Sequence, residues 1–286
     1  MTLHEDVRKQ LLQSLQQPAN NGVDQLNDAF RLLAKWRSIL ISNTIIAAHK
    51  THVLQGPMKG LEYVANTSEG CLAARLIGCY EQPLLPFIEE AINTDYENVV
   101  NIGCSDGYYA VGMARRMPNS KMWAYDINQA AQDACTELAQ KNNVSERIEI
   151  GALFGPEDFA QFANEKTLVM CDIEGAEQEL LDPQLAPELA GMDIIVESHE
   201  CIIKGLTQTL LDHFSVTHEI TLIQDTGQRH FEVLPKDYEK WANLDQLVAT
   251  WEWRSGPTPW MVMKSKLLQA DLNSTRANPK AKSKNN

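Results

Sequence analysis

From residue 98 onward, short β-like runs alternate with helical stretches, and this alternation limits the fold before any single residue is weighed. "NVVNIG" leads into a helix ending near Met117, "KMWAYDI" into "NQAAQDACTELAQKNN", and "RIEIGAL" into "PEDFAQFA". "TLVMCDI" then precedes "EQELL", "DIIVES" precedes "IIKGLTQTLLDHF", and "VTHEITLI" follows. Strands parted by helices need right-handed crossovers, so they pair in parallel and are covered on both faces. The expected class is α/β, a doubly wound and mostly parallel sheet. "TPWMVMKSK" lacks a clear helix before it, so this last strand is expected to pair antiparallel at one edge.

Upstream, residues 4–17 and 23–50 read as two helices parted by the breaker cluster "QPANNG". Leu26, Phe30, Leu33, Trp36 and Leu40 recur at three- and four-residue steps, the spacing of one buried stripe. Residues 1–55 are therefore expected to form a helical cap on the main domain, or a lid over a substrate pocket. "HVLQGPMKGLEYV" suggests a hairpin around its Gly/Pro turn, and "EQPLLPFIEEAI" a helix. The main domain is expected over 56–268. Residues 269–286, basic and poor in large apolar side chains, are expected to be a disordered tail.

Acids outnumber bases 38 to 25, a net charge of −13, which opposes tight binding to a nucleic-acid backbone. The six cysteines are scattered without a CxxC pair, and a reduced, cytoplasmic setting fits them. The N-terminus lacks the apolar core of a signal peptide, and no apolar run approaches the ~20 residues of a membrane span. The oligomeric state stays open, with a homodimer among the options.

In doubly wound sheets ligands bind at the carboxyl ends of the strands, which makes the turn in "NVVNIGCSDGYYAVG" (98–112) the first place to look. A dinucleotide fingerprint starting at Gly103 would need glycine at 105 and 108, where Ser105 and Tyr108 stand; a phosphate-binding P-loop would need a lysine that is absent. What remains is Asn101 at the strand end, Gly103 and Gly107 four apart, and Cys104 and Ser105 between them. Asp106 adds a carboxylate where a phosphate would need the helix N-terminus to itself, so the turn suits a neutral or cationic nucleoside. Asp126, nineteen residues beyond Gly107 and followed by Ile127, is placed to accept hydrogen bonds from ribose hydroxyls. Ala152 and Leu153 after the third strand offer apolar cover for a flat base.

This segment resembles the class I S-adenosylmethionine-dependent methyltransferases. Their first motif, acid-x-Gly-x-Gly-x-Gly, falls here on Asn101, Gly103, Ser105 and Gly107. Asn101 carries no charge for the methionine ammonium, and Ser105 restricts the backbone more than glycine does. Residues 168–200, "LVMCDIEGAEQELLDPQLAPELAGMDIIVESHE", resemble the FkbM-type branch, whose members are mostly O-methyltransferases. "GCYEQ" at 78–82 resembles a segment that comes near the cofactor in related enzymes, which adds Tyr80 and Glu81. The resemblance implies a Rossmann-like methyltransferase sheet, S-adenosylmethionine as cofactor, and a hydroxyl of a small molecule, sugar or glycan as acceptor. It also implies a cofactor lining of Tyr80, Asn101, Gly103, Cys104, Ser105, Gly107, Tyr108, Asp126, Ile127, Ala152, Leu153 and Asp172.

Methyl transfer from a sulfonium is an in-line displacement, so the protein mainly aligns the partners, and the cofactor carries the reactivity. A hydroxyl acceptor must lose its proton, for which a nearby base helps. Strand-tip candidates are Asp172, Glu174, Glu197, His199 and Glu200, of which Asp172, Glu174 and His199 form the expected catalytic set. Each has a plainer use. Asp172 suits a helix cap, Glu174 and Glu177 suit first-turn acids, and a lone histidine is more often structural. The same acids could hold Mg²⁺, but carboxylates gather at strand ends for other reasons, and no metal is expected. Trp251, Trp253, Arg254 and Trp260 suit core packing or a substrate wall. Two other functions fit: a nicotinamide-dependent oxidoreductase, keeping the fold and Asp126, and a non-enzymatic module that binds a nucleoside or a partner, for which Asn101 and Ser105 are the motive.

Overall fold

The computed structural model describes residues 2–16, 22–65, 67, 71–254, 256 and 258–269; the expected basic tail lies, from residue 270 on, outside them. In chain order come α1 (Leu3–Gln16), α2 (Gly22–His49), α3 (Leu72–Ile77) and α4 (Leu85–Ile92). Then follow β1 (Asn98–Ile102), α5 (Tyr108–Arg116), β2 (Lys121–Tyr125), α6 (Gln129–Lys141) and β3 (Ile148–Gly151). After these come β4 (Thr167–Cys171), α7 (Glu177–Leu180), β5 (Asp193–Glu197) and α8 (Leu206–Phe214). The last described elements are β6 (His218–Ile223), α9 (Asn243–Thr250) and β7 (Trp260–Ser265).

These elements form two compact units, residues 1–80 with 229–254, and residues 81–228 with 255–286. The boundary expected at residue 55 differs from this, because both 56–80 and 229–254 hold to the long helix and its continuation. Arg37 of α2 makes two 2.6 Å hydrogen bonds to Asp245 of α9. The Gln55 carboxamide oxygen accepts from the N–H groups of Glu232 and Val233 at 2.7 and 2.9 Å. Helix α1 lies along α2, with the Trp36 indole donating to His4 Nδ1 at 3.0 Å and Gln25 donating to the Ser14 carbonyl at 2.7 Å. The expected hairpin shrinks to one antiparallel bridge, His52 with Glu62.

One expectation for this unit is corrected. Of the stripe read as buried, Leu26, Phe30 and Leu33 are exposed, while α2 buries Ala29, Ser38, Ile41, Ser42 and Ile45 instead. Periodicity reports an apolar face; it does not say which molecule covers it.

The second unit holds a seven-stranded sheet in the order β3-β2-β1-β4-β5-β7-β6. β1 through β5 pair in parallel, as the alternating pattern demands. Strand β7 is antiparallel, as expected, but it inserts between β5 and β6 and pairs with both, leaving β6 at the edge. Its apolar run explains the place: Trp260 to Met263 are all buried, while β6 exposes half its residues. β1, β4 and β5 are buried along their whole length, the signature of central strands covered on both faces. "PEDFAQFA" coils as a 3-10 helix, and "IIKG" stays outside α8, which begins after Gly205. The order reverses between β1 and β4, so their carboxyl ends open onto the crevice where such sheets hold ligands.

Candidate functional site

Beyond β1 the backbone turns sharply. Gly103 has φ +77°, and a Cβ there would stand 1.7 Å from the carbonyl oxygen of Asp172 at the end of β4. Asp172 N–H donates to the Ile102 carbonyl at 3.0 Å, so the two strand ends are laced together where the turn begins. Ser105 takes φ +48°, uncommon for a residue with a side chain, and its hydroxyl oxygen is buried without a hydrogen-bond partner. Gly107 (φ +87°) opens α5 with the Cys135 thiol pressed against it. The hydrogen-bonded Cys135 thiol, and then burial, push the Cys104 thiol well above its ordinary range, so it stays protonated. Asn101 and Asp106 are buried. Tyr108 is buried too, its ring edge-on to Tyr109.

Asp126 follows β2 and reaches back over the turn. One carboxylate oxygen accepts from Ser105 N–H at 2.9 Å and the other from Asn128 N–H at 2.9 Å, so the acid and the turn are positioned as one piece. Next to it Ile127 is 82% exposed, and Leu153, beyond β3, is 76% exposed; Ala152 is open as well. Two large apolar side chains standing in water beside an acid at adjacent strand tips form an uncovered seat for a flat apolar ring. The unpartnered Ser105 hydroxyl, the cradle that a Cβ would fill and this seat together fit an adenosyl group.

The strongest electrostatics lie at the tips of β4 and β5. His199 is almost fully buried, and its Nδ1 is 2.6 Å from Oε1 of Glu177, a buried acid on α7. Burial raises the Glu177 carboxyl, but His199 and backbone N–H groups outweigh it and hold it below its ordinary range. Glu177 is therefore ionised and His199 Nδ1 donates. Nε2 then faces Oδ1 of Asp172 and Oε2 of Glu174, each at 3.5 Å, and Oε2 of Glu197 at 3.8 Å. Burial alone would lower the His199 pKa; Glu177, Glu197 and Glu174 reverse the sign and raise it. Asp172 is driven well above the carboxylate range by burial and then by Glu197, Glu81 and Glu174. Asp172, Glu174 and His199 bring one donor atom each within 4.8 Å of one another, a spacing that a shared proton or a small cation spans.

Asp172, Glu174 and His199, read from the sequence as strand-tip candidates, thus lie close together beside the turn. The capping role open to Asp172 is taken by no side chain, since Ala176 precedes α7. Glu200 is corrected from its place among the base candidates: it accepts from the N–H groups of Gly205 and Thr207 at 2.7 and 3.0 Å and caps α8. Tyr80 belongs to the other unit, its ring under the Arg75 guanidinium at 4.5 Å. The Trp251 and Trp253 rings lie near each other at a tilt in that unit as well, with Trp260 buried in β7. The sequence did not single out Glu177 as the partner of His199. The available signal was Gly175 (φ +106°) after Glu174 (φ +55°), a left-handed pair that reverses the chain and brings position 177 back over the strand tip.

Residues 62–176 match the model of a family described as O-methyltransferase. No curated protein matches the sequence. Among solved structures, the O-methyltransferase TomG of Streptomyces achromogenes, involved in tomaymycin synthesis and in complex with SAM, is 13% identical. That match covers 65% of this chain and 79% of that one with a TM-score of 0.45. An O-methyltransferase of Bacillus cereus in complex with SAH is 15% identical over 65% of this chain and 81% of that chain, with a TM-score of 0.43. Cofactor-bound Rv0187 from MTB is 16% identical over 88% of this chain and 99% of its own, with a TM-score of 0.45. Likenesses this remote say nothing of what the chain binds. No helix among the described residues is long and apolar enough to cross a membrane.

Proposed function

We propose that this chain, a methyltransferase of the O-methyltransferase family over residues 62–176, takes its methyl group from S-adenosylmethionine and delivers it to a hydroxyl oxygen of a small molecule, sugar or glycan. The observation that carries the reading is the Glu177–His199 pair seated beside Asp172, at the carboxyl ends of β4 and β5, next to the turn that follows β1. When bound, the cofactor supplies an electrophilic methyl on a sulfonium, which no side chain here offers. Asp126 grips the ribose, Ile127 and Leu153 cover the base, and Ser105 gives its hydroxyl to the ligand. Glu81, which accepts from the Tyr109 hydroxyl at 2.6 Å, supplies the negative charge for the methionine ammonium that Asn101 lacks, and the ammonium in turn draws the raised Asp172 carboxyl toward its ionised form. His199 Nε2 takes the proton of the acceptor, while Glu177 fixes the tautomer that leaves Nε2 as the base.

Asp126→Ala should weaken S-adenosylmethionine binding by about 1–3 kcal/mol, the scale of hydrogen bonds lost to a charged group. Titration calorimetry reads this directly, and unchanged affinity removes Asp126 from the site. A second reading follows from the close donor set of Asp172, Glu174 and His199: a divalent cation there would orient the acceptor oxygens. Base catalysis by His199 expects transfer to continue in EDTA; loss of turnover restored by Mg²⁺ would favour the cation. The "DIEGAE" segment supports placing the chain with the FkbM-like branch. The six cysteines, all free and five of them buried, support a reducing, cytoplasmic setting.

A further inference from the structure

Three buried polar atoms in the unit that holds the sheet have no hydrogen-bond partner among the described residues: Ser105 Oγ, Glu177 Oε2 and Trp260 Nε1. Buried polar groups are nearly always paired, so exceptions that gather in one place point to a ligand-facing surface. These three gather at the carboxyl end of the sheet. Ser105 follows β1, Glu177 lies beyond β4, and Trp260 opens β7 opposite Glu197, the last residue of β5. Ser105 faces the cofactor, and the other oxygen of Glu177 already holds His199. The Trp260 indole, 5% exposed, has no such use. By contrast, the less buried Trp36 and Trp123 donate to His4 Nδ1 and Asn98 Oδ1 at 3.0 and 2.9 Å.

We propose that the Trp260 indole N–H donates to an uncharged oxygen of the methyl acceptor, other than the oxygen that is methylated, and so selects neutral acceptors over anionic ones. This rests on the methyltransferase reading of the same site. The sheet register places the indole. Cys171 pairs with Val196 and Val196 with Met261, and all three belong to the core on one face of the sheet. Successive side chains along a strand point to opposite faces, so Glu197 and Trp260, a directly opposed pair, stand together on the other face. His199 Nε2 reaches that side too, 3.8 Å from Glu197 and 3.5 Å from Asp172. Since β4, β5 and β7 are neighbours in that order and strands lie about 4.8 Å apart, the row from Asp172 through Glu197 to Trp260 spans about 10 Å. An acceptor that gives its hydroxyl to His199 and lies along this row, away from the turn after β1, ends at the indole. An indole N–H only donates, so the atom it meets must accept. A carboxylate or phosphate oxygen there would stand beside the Glu197 carboxyl group, which like charge opposes; a hydroxyl, carbonyl or ether oxygen meets no such penalty.

The test is nuclear magnetic resonance of the full chain, its tryptophans labelled with ¹⁵N and its cofactor site saturated with S-adenosylhomocysteine. Calorimetry establishes that saturation first; failure to bind would sink the methyltransferase reading itself, which keeps that outcome apart from failure of the Trp260 assignment. The six tryptophans give six indole N–H resonances, and Trp260→Phe identifies its own by removing it. Circular dichroism checks that this variant folds; should it not, cross-relaxation with Ile223, the partner of Trp260 on β6, identifies the resonance instead. N-methylacetamide, a neutral carbonyl probe titrated at millimolar concentration, should move the Trp260 resonance downfield and saturably. Acetate, of similar size, should not, and the paired indole of Trp123 should stay put with both. A Trp260 resonance indifferent to N-methylacetamide while S-adenosylhomocysteine binds, an equal response to acetate, or a shift shared by the Trp123 indole would each overturn the assignment.

Discussion

Gly103→Ala should abolish measurable S-adenosylmethionine binding and destabilise the fold by about 3 kcal/mol. Two independent penalties act at this position. The backbone sits at φ +77°, where a side chain is strained, and the new Cβ would lie 1.7 Å from the Asp172 carbonyl oxygen and 2.7 Å from its carbon. Both atoms belong to backbone that cannot retreat. Ile102 is in register with Cys171, and Asp172 N–H is bonded to the Ile102 carbonyl. The strand ends must therefore part, which moves Asp172 away from His199 and spoils the turn together with the acid cluster. Gly227 provides the comparison, with a similar φ of +73° and nothing within 4 Å of a Cβ, so Gly227→Ala should cost only about 1 kcal/mol and leave binding intact. Chemical denaturation and calorimetry on the two variants test the claim; equal effects would mean that backbone strain alone, and not the contact with Asp172, sets the cost.

His199→Ala is expected to lower kcat by about 10²–10⁴ with little change in cofactor affinity, the range for loss of a positioned general base. The pH profile separates this from a structural role. Because the pKa of His199 is raised, the rate should climb with pH through a midpoint above the ordinary value of ~6.5, as the imidazolium gives up its proton. Glu177→Gln removes the hydrogen-bonded charge that raises it, while the burial that lowers it stays. The acid limb should therefore move to lower pH as kcat falls. The same pair carries a stability term with two edges. The His199 share is complete below the unfolded histidine pKa and is lost as pH rises through the raised folded value. The Glu177 share is present above the unfolded carboxylate pKa and is lost as pH falls through its depressed folded value. An acid limb that stays put in Glu177→Gln would show that the pair does not set the base.

The strand tips were legible because each signal there is local. Glycine at 103 and 107 marks positive φ, and the acid after "WAY" marks the end of β2. Even Asp172 and His199 could be named from where their strands stop. How the companion acids gather around them could not be read. Glu81, Glu177 and Glu197 reach the cluster from three separate segments, and only the packing of β4 beside β5 makes neighbours of residues 177 and 199.

The sequence by itself determined the alternation of strands and helices, the parallel pairing that follows from it, and the position of the turn after β1, because hydrophobic period and glycine act over a few residues. Tertiary structure alone decided that β7 slips between β5 and β6, that Glu177 holds His199, and that α2 turns Phe30 toward water. Each of these is a choice among distant partners with equally suitable local patterns, and only the free energy of packing the whole chain distinguishes them.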